Sequence, residues 1–113
     1  MAKIKIGQMI RQGDVGLVRI RMSRKNIGKP IPRKGGRIVL AEGETTGHSH
    51  SLDAEKVTAY AGGAFGGKMV IVVDAESTPL LHEEHRAIEL VRGAFDVVSQ
   101  FEYEPDDIRR VMD

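Results

Sequence analysis

All four histidines of the chain lie in two short motifs, Gly47-His48-Ser49-His50 and His82-Glu83-Glu84-His85. Residues two apart on a β-strand face the same side, about 7 Å apart at Cα, so a strand here would present His48 and His50 together. His82 and His85 are three apart, a spacing that a regular strand sends to opposite faces and a bend brings together. Neutral imidazole is a good ligand for zinc, nickel, copper and iron, and four nitrogens, or three with a carboxylate, close a tetrahedral site. His48, His50, His82 and His85 are therefore candidate ligands of a divalent metal, zinc first, with Glu44, Glu83 and Glu84 as oxygen ligands or as groups that orient the rings.

Two other readings of these residues stay open. The histidines can be surface residues on loops, with Gly47 and the glutamates marking exposure. Alternatively, one imidazole takes a proton and another gives one, as in metal-free phosphodiester cleavage. An acyl-transfer hydrolase has little support: Ser49 and Ser51 flank His50, but no Ser-His-Asp order or nucleophile elbow is present. The His-x-His motif in a β-rich chain also resembles the opening of the cupin motif, with Glu55 near the place of its glutamate. The second half lacks the matching glycine-proline-glycine turn and single histidine.

Charge is laid out unevenly around these motifs. Residues 1–40 hold eleven bases and one acid, whereas residues 41–113 hold six bases and fifteen acids, and the whole chain is left at +1. The densest stretch contains Arg19, Arg21, Arg24, Lys25, Lys29, Arg33, Lys34 and Arg37 without an acid, and Gly28, Pro30 and Pro32 make residues 24–35 an expected extended loop. Such a basic arm can hold a phosphate, dock on an acidic surface of a neighbouring copy, or be solvated. Nucleic acid is an admissible partner, although no Phe, Tyr or Trp precedes Tyr60 to stack on bases.

The elements that must position these residues read as β-structure. The 113 residues suit a single domain, and 41% hydrophobic with 29% charged residues is the composition of a folded chain. With no Cys, disulfides, thiolate catalysis and Cys-based metal sites are excluded. Alternation is plain in Leu17-Val-Arg-Ile-Arg-Met22 after a Gln12-Gly13-Asp14 turn. Further strands are expected at 3–6, 37–41, 48–52, 56–60, 69–73, 87–90 and 94–102, the last two joined as a hairpin by a turn at Arg92-Gly93. The Gly-rich segment 61–67 is an expected loop that lacks the strand-loop-helix setting of a phosphate loop. Pro105 and the order of charges after it predict a short C-terminal helix over 105–112. The expected fold is all-β, a compact sandwich or small barrel of about eight short strands. No apolar run fits a signal peptide or a membrane span, so no membrane partner and a cytoplasmic location are expected.

Arg11-Gln-Gly-Asp-Val15, Gly36 through His50, Leu81-His-Glu-Glu-His85 and Val97 through Tyr103, with the ending Tyr103 through Arg110, resemble a family of small uncharacterised prokaryotic and phage-encoded proteins. The chain departs from that pattern at Leu90–Phe95, where the family has a proline-bearing turn followed by tyrosine. The resemblance carries no activity, and it implies a setting within a prokaryotic cell or a phage particle. The expected function is a non-enzymatic structural or interaction module. It would combine the histidine cluster with a basic arm docking on a neighbouring subunit, in a homo-oligomer or larger particle. A small metal- or histidine-dependent hydrolase or nuclease is the alternative, and a nucleic-acid-binding domain without chemistry is the third.

Overall fold

The computed structural model describes residues 4–21, 28–42, 48–62 and 69–99. Seven strands run through them in chain order: β1 (Met9–Gln12), β2 (Val15–Ile20), β3 (Arg37–Glu42), β4 (Ser49–Asp53), β5 (Val57–Ala61), β6 (Met69–Leu80) and β7 (Ile88–Ser99). They form a five-stranded antiparallel sheet in the order β1-β2-β7-β6-β5 and a two-stranded sheet of β3 and β4. The all-β expectation holds. The predicted helix over 105–112, Arg24 and Lys25 of the basic arm, Glu44, and most of the Gly-rich loop lie outside the described residues.

Alternation decides which side chains face the core between the sheets. Val15 and Leu17 from β2, Ile38 and Leu40 from β3, Leu52 from β4, Val57 and Ala59 from β5, and Phe95 and Val97 from β7 all pack into it. The opposite face of the large sheet is buried as well, through Met9, Val18, Ile20, Val70, Ala94 and Val98. Strand β6 links the two sheets. Its first half pairs with β5, a register shift follows between Val73 and Ser77, and after Leu80 the chain bridges to β4 through reciprocal hydrogen bonds between Ser51 and Leu81 (3.0 and 2.9 Å).

The expected hairpin at Arg92-Gly93 is absent, and β7 runs unbroken from Ile88 to Ser99. Gly93, with φ +152°, lies opposite Val73 where the register of β6 shifts, so it absorbs a distortion of the ladder rather than ending a strand. Residues 74–80, outside the expected strand over 69–73, continue it as the rest of β6. The first strand begins at Met9, beyond the predicted 3–6, and the Gln12-Gly13-Asp14 turn stands as expected between β1 and β2.

Part of the basic segment is built into the sheet edge. Gly28 and Ile31 donate to Ala61 and Ala59 carbonyls, and Ala61 donates back to Lys29, all at 2.8 Å, which lays residues 28–31 along β5. Pro30 and Lys29 on that outer edge blunt further strand pairing. Among the described residues no helix is long and apolar enough to cross a membrane.

Candidate functional site: an imidazole cluster

His50 takes an inward position of β4, in step with Leu52, and is 2% exposed at one end of the core. Two neighbouring elements close over it, the β1–β2 hairpin tip and the connection from β6 to β7. The Ser51–Leu81 bridge holds the start of that connection against β4, and the Glu83 carboxylate accepts the Ser49 backbone N–H at 2.7 Å. That bond, with one from its own backbone N–H, lowers the Glu83 pKa below the ordinary carboxylate value. Residues 83–85 bend, as the spacing of His82 and His85 requires. The bend is closed by Nδ1 of His82, which accepts from the backbone N–H groups of Glu84 (3.0 Å) and His85 (3.3 Å).

The two histidine motifs thereby meet. The His82 ring lies 4.3 Å from His50, 4.5 Å from His85 and 5.8 Å from His48, centre to centre, and His50 and His85 stack at 6.0 Å. Zinc holding imidazoles at about 2.0–2.1 Å in tetrahedral geometry spaces ring centres about 5 Å apart. These separations straddle that value. As the rings stand, no group of three or more His, Asp or Glu side chains among the described residues is arranged to hold a metal ion. The donors are gathered without being converged.

Gln12, 3% exposed at the end of β1, sets the protonation of the centre. Its amide Nε2 donates to the carbonyls of Leu80 and Arg86, both at 2.9 Å, so its Oε1 is turned to His50 Nδ1 at 2.8 Å. Nδ1 must then carry the hydrogen and donate it. Burial, reinforced by His82, lowers the His50 pKa against the opposing pull of Asp14, which keeps the ring neutral near pH 7. Its Nε2 is then a lone pair, and it faces Asp14 Oδ1 at 3.4 Å. Two electron-pair donors held face to face ask for a proton or a cation between them.

Hairpin geometry brings the other ring to the same place. Gly13 occupies the first central position of the two-residue turn with φ +60°, where glycine is favoured, and a Cβ there would fall 2.5 Å from His85 Nε2. His82 differs from its neighbours. An acceptor nitrogen carries no hydrogen, so neutral His82 keeps its proton on Nε2, and that nitrogen becomes a ligand only when the bonds closing the bend are given up. His48 stands at the margin with Nδ1 3.3 Å from Glu84.

Of the predicted positioning groups, Glu83 holds the β4 backbone and Glu84 holds His48. Gln12 and Asp14 are the site residues that sequence reasoning missed. The signal was a Gln-Gly-Asp turn with polar residues on both sides of its glycine, read only as a turn. In the basic segment, Arg19 donates to the Ile4 and Arg92 carbonyls and lies over the Phe95 ring, and Arg37 donates to Ser51 Oγ. These two work inside the fold, while Arg21, Lys29, Arg33 and Lys34 are exposed.

A family model matches residues 11–100, from Arg11 in β1 to the residue after the end of β7. The chain belongs to the family described as domain of unknown function DUF8820. The match takes in both histidine motifs, Gln12 and Asp14. No curated protein and no solved structure matches the chain.

Proposed function

We propose that this DUF8820 domain is a non-enzymatic interaction module whose imidazole cluster binds one divalent transition metal ion, zinc by the chemistry of its donors. The observation that carries this reading is the His50 Nε2 lone pair facing the Asp14 carboxylate, with Nδ1–H held by Gln12. A metal-bound histidine characteristically donates its second ring N–H to a carbonyl or carboxylate oxygen, which fixes its tautomer and raises its basicity. In this proposal His50, His85 and Asp14 are the core ligands. His82 completes the set as its proton moves to Nδ1, and His48 with Glu84 flanks it. The ion would tie the β1–β2 hairpin, the start of β4 and the β6–β7 connection together, adding binding energy to folding energy in a domain of modest core.

The basic segment supplies the interaction half of the proposal. Exposed Arg21, Lys29 and Arg33 suit docking on an acidic face of a second copy or on a polyanion, including within the phage particle that the motif resemblance implies. The metal half is tested by elemental analysis of untagged protein purified without chelator, with and without His50→Ala. One equivalent of zinc in the parent, lost in the variant and not restored by dialysis against zinc, is expected. A parent that neither carries nor takes up a transition metal refutes the reading.

A further inference from the structure

The connection from β6 to β7 crosses the imidazole cluster between two fixed points. On one side Leu81 is bridged to Ser51 by backbone bonds of 3.0 and 2.9 Å, and on the other the Arg86 carbonyl accepts from Gln12 Nε2 at 2.9 Å. Between them the bend is closed from within, by His82 Nδ1 accepting from the backbone N–H groups of Glu84 at 3.0 Å and His85 at 3.3 Å. The same ring is the middle member of the cluster. Its centre lies 4.3 Å from His50 and 4.5 Å from His85, which are themselves 6.0 Å apart, so an ion on His50 and His85 has His82 as the next imidazole to take.

His82 cannot close the bend and hold a metal at once. Ligation through Nδ1 uses the lone pair that the two N–H groups share. Ligation through Nε2 sends the ring hydrogen to Nδ1, where a donor would then face two donors. We propose that metal uptake opens the bend over residues 83–85, so that the cluster converts the presence of the ion into a change of shape at the surface. This inference rests on the zinc reading of the cluster and adds a regulatory consequence to it. Glu83 to Ala87 are all exposed, so the change is presented outward. Glu84 rides on the bend and pairs with His48 Nδ1 at 3.3 Å, so opening also moves this carboxylate relative to His48. Neither anchor uses an imidazole nitrogen, which confines the movement to the residues between them.

The test is backbone amide hydrogen exchange, followed by NMR, of chelator-treated protein and of protein given one equivalent of zinc, with the Ser51 and Leu81 amides as fixed references. Metal-free protein should protect Glu84 and His85, and zinc should speed their exchange about tenfold, the size of one net hydrogen bond, while the reference amides stay slow. A site that merely tightened the fold would slow all four. His82→Asn separates the two roles, since an asparagine oxygen closes such a turn by accepting from the N–H two residues on but is a poor zinc ligand. This variant should keep the metal-free protection and lose the acceleration. The proposal is overturned if the parent takes up zinc with exchange at Glu84 and His85 unchanged or slowed, or if His82→Asn responds as the parent does, and the zinc reading survives either result. A parent that takes up no zinc overturns the zinc reading and this inference with it.

Discussion

Gln12 has neither charge nor redox chemistry, yet the state of the cluster depends on it, because its amide has one acceptor to give and gives it to His50. Replacing it with the isosteric but non-bonding Met strands the Leu80 and Arg86 carbonyls and the His50 Nδ1–H. Unpaired buried groups cost about 1–3 kcal/mol each, with partial relief from entering water, so Gln12→Met should lose about 2–4 kcal/mol in urea denaturation. A loss below about 0.5 kcal/mol would mean that the amide is not the clamp described. Histidine spacing singled out the four imidazoles in the sequence, but nothing in it says that the two motifs meet at His82 or distinguishes a buried glutamine from an exposed one. Gln12 meets His50 across 38 residues of chain, and such partners are set by topology, not local pattern.

At the scale of the element, the β1–β2 hairpin is what presents Asp14 and the flat back of Gly13 to the imidazoles. Alanine at 13 brings two separable effects, strain at φ +60° of about 1–2 kcal/mol and displacement of His85 by the new Cβ. Gly13→Ala is therefore expected to lower both stability and zinc affinity, read by denaturation and calorimetry. In a His85→Ala background only the strain should remain, so a double-mutant cycle on affinity separates them. If the affinity loss persists without His85, displacement is not its cause. The same elements show where sequence reading works. Val18 and Ile20 repeat with period two because they share one buried face of β2, Arg19 lies half-buried on the face of Leu17, and His50 inherits the inward parity of Leu52. It fails at β6 and β7 because Pro79, Asp74 and Arg92-Gly93 carry turn-like residues that a long, register-shifted strand pair accommodates.

The molecule as a whole brings the ends of three chain segments to one pole of the core, and that convergence makes its stability sensitive to protons and, on the zinc proposal, to metal as well. His50 has a depressed pKa in the folded state because it is buried and faces His82 and His85, with Asp14 opposing. The unfolded chain therefore binds more protons than the folded one as pH falls below the ordinary value of about 6.5, and stability drops in that window. Glu83 contributes in the same direction, but only below its ordinary value of 4.5, so the two windows are distinct. Metal-free protein should show a Tm that is level above pH 7 and falls between pH 6.5 and 5. Under the zinc proposal the metal would compete with those protons for the same lone pairs. At a hundredfold excess over Kd near pH 7.5 it should add about 2.7 kcal/mol, or roughly 10–20 °C in a domain of this size. The increment should shrink steeply by pH 5.5, as imidazolium cannot ligate. A metal-free Tm that stays flat down to pH 5 would show that His50 is not held neutral by the fold. An increment equal at pH 7.5 and 5.5 would place the zinc on carboxylates away from the histidines, and the pole of the core would then be a hydrogen-bonded cluster without a metal.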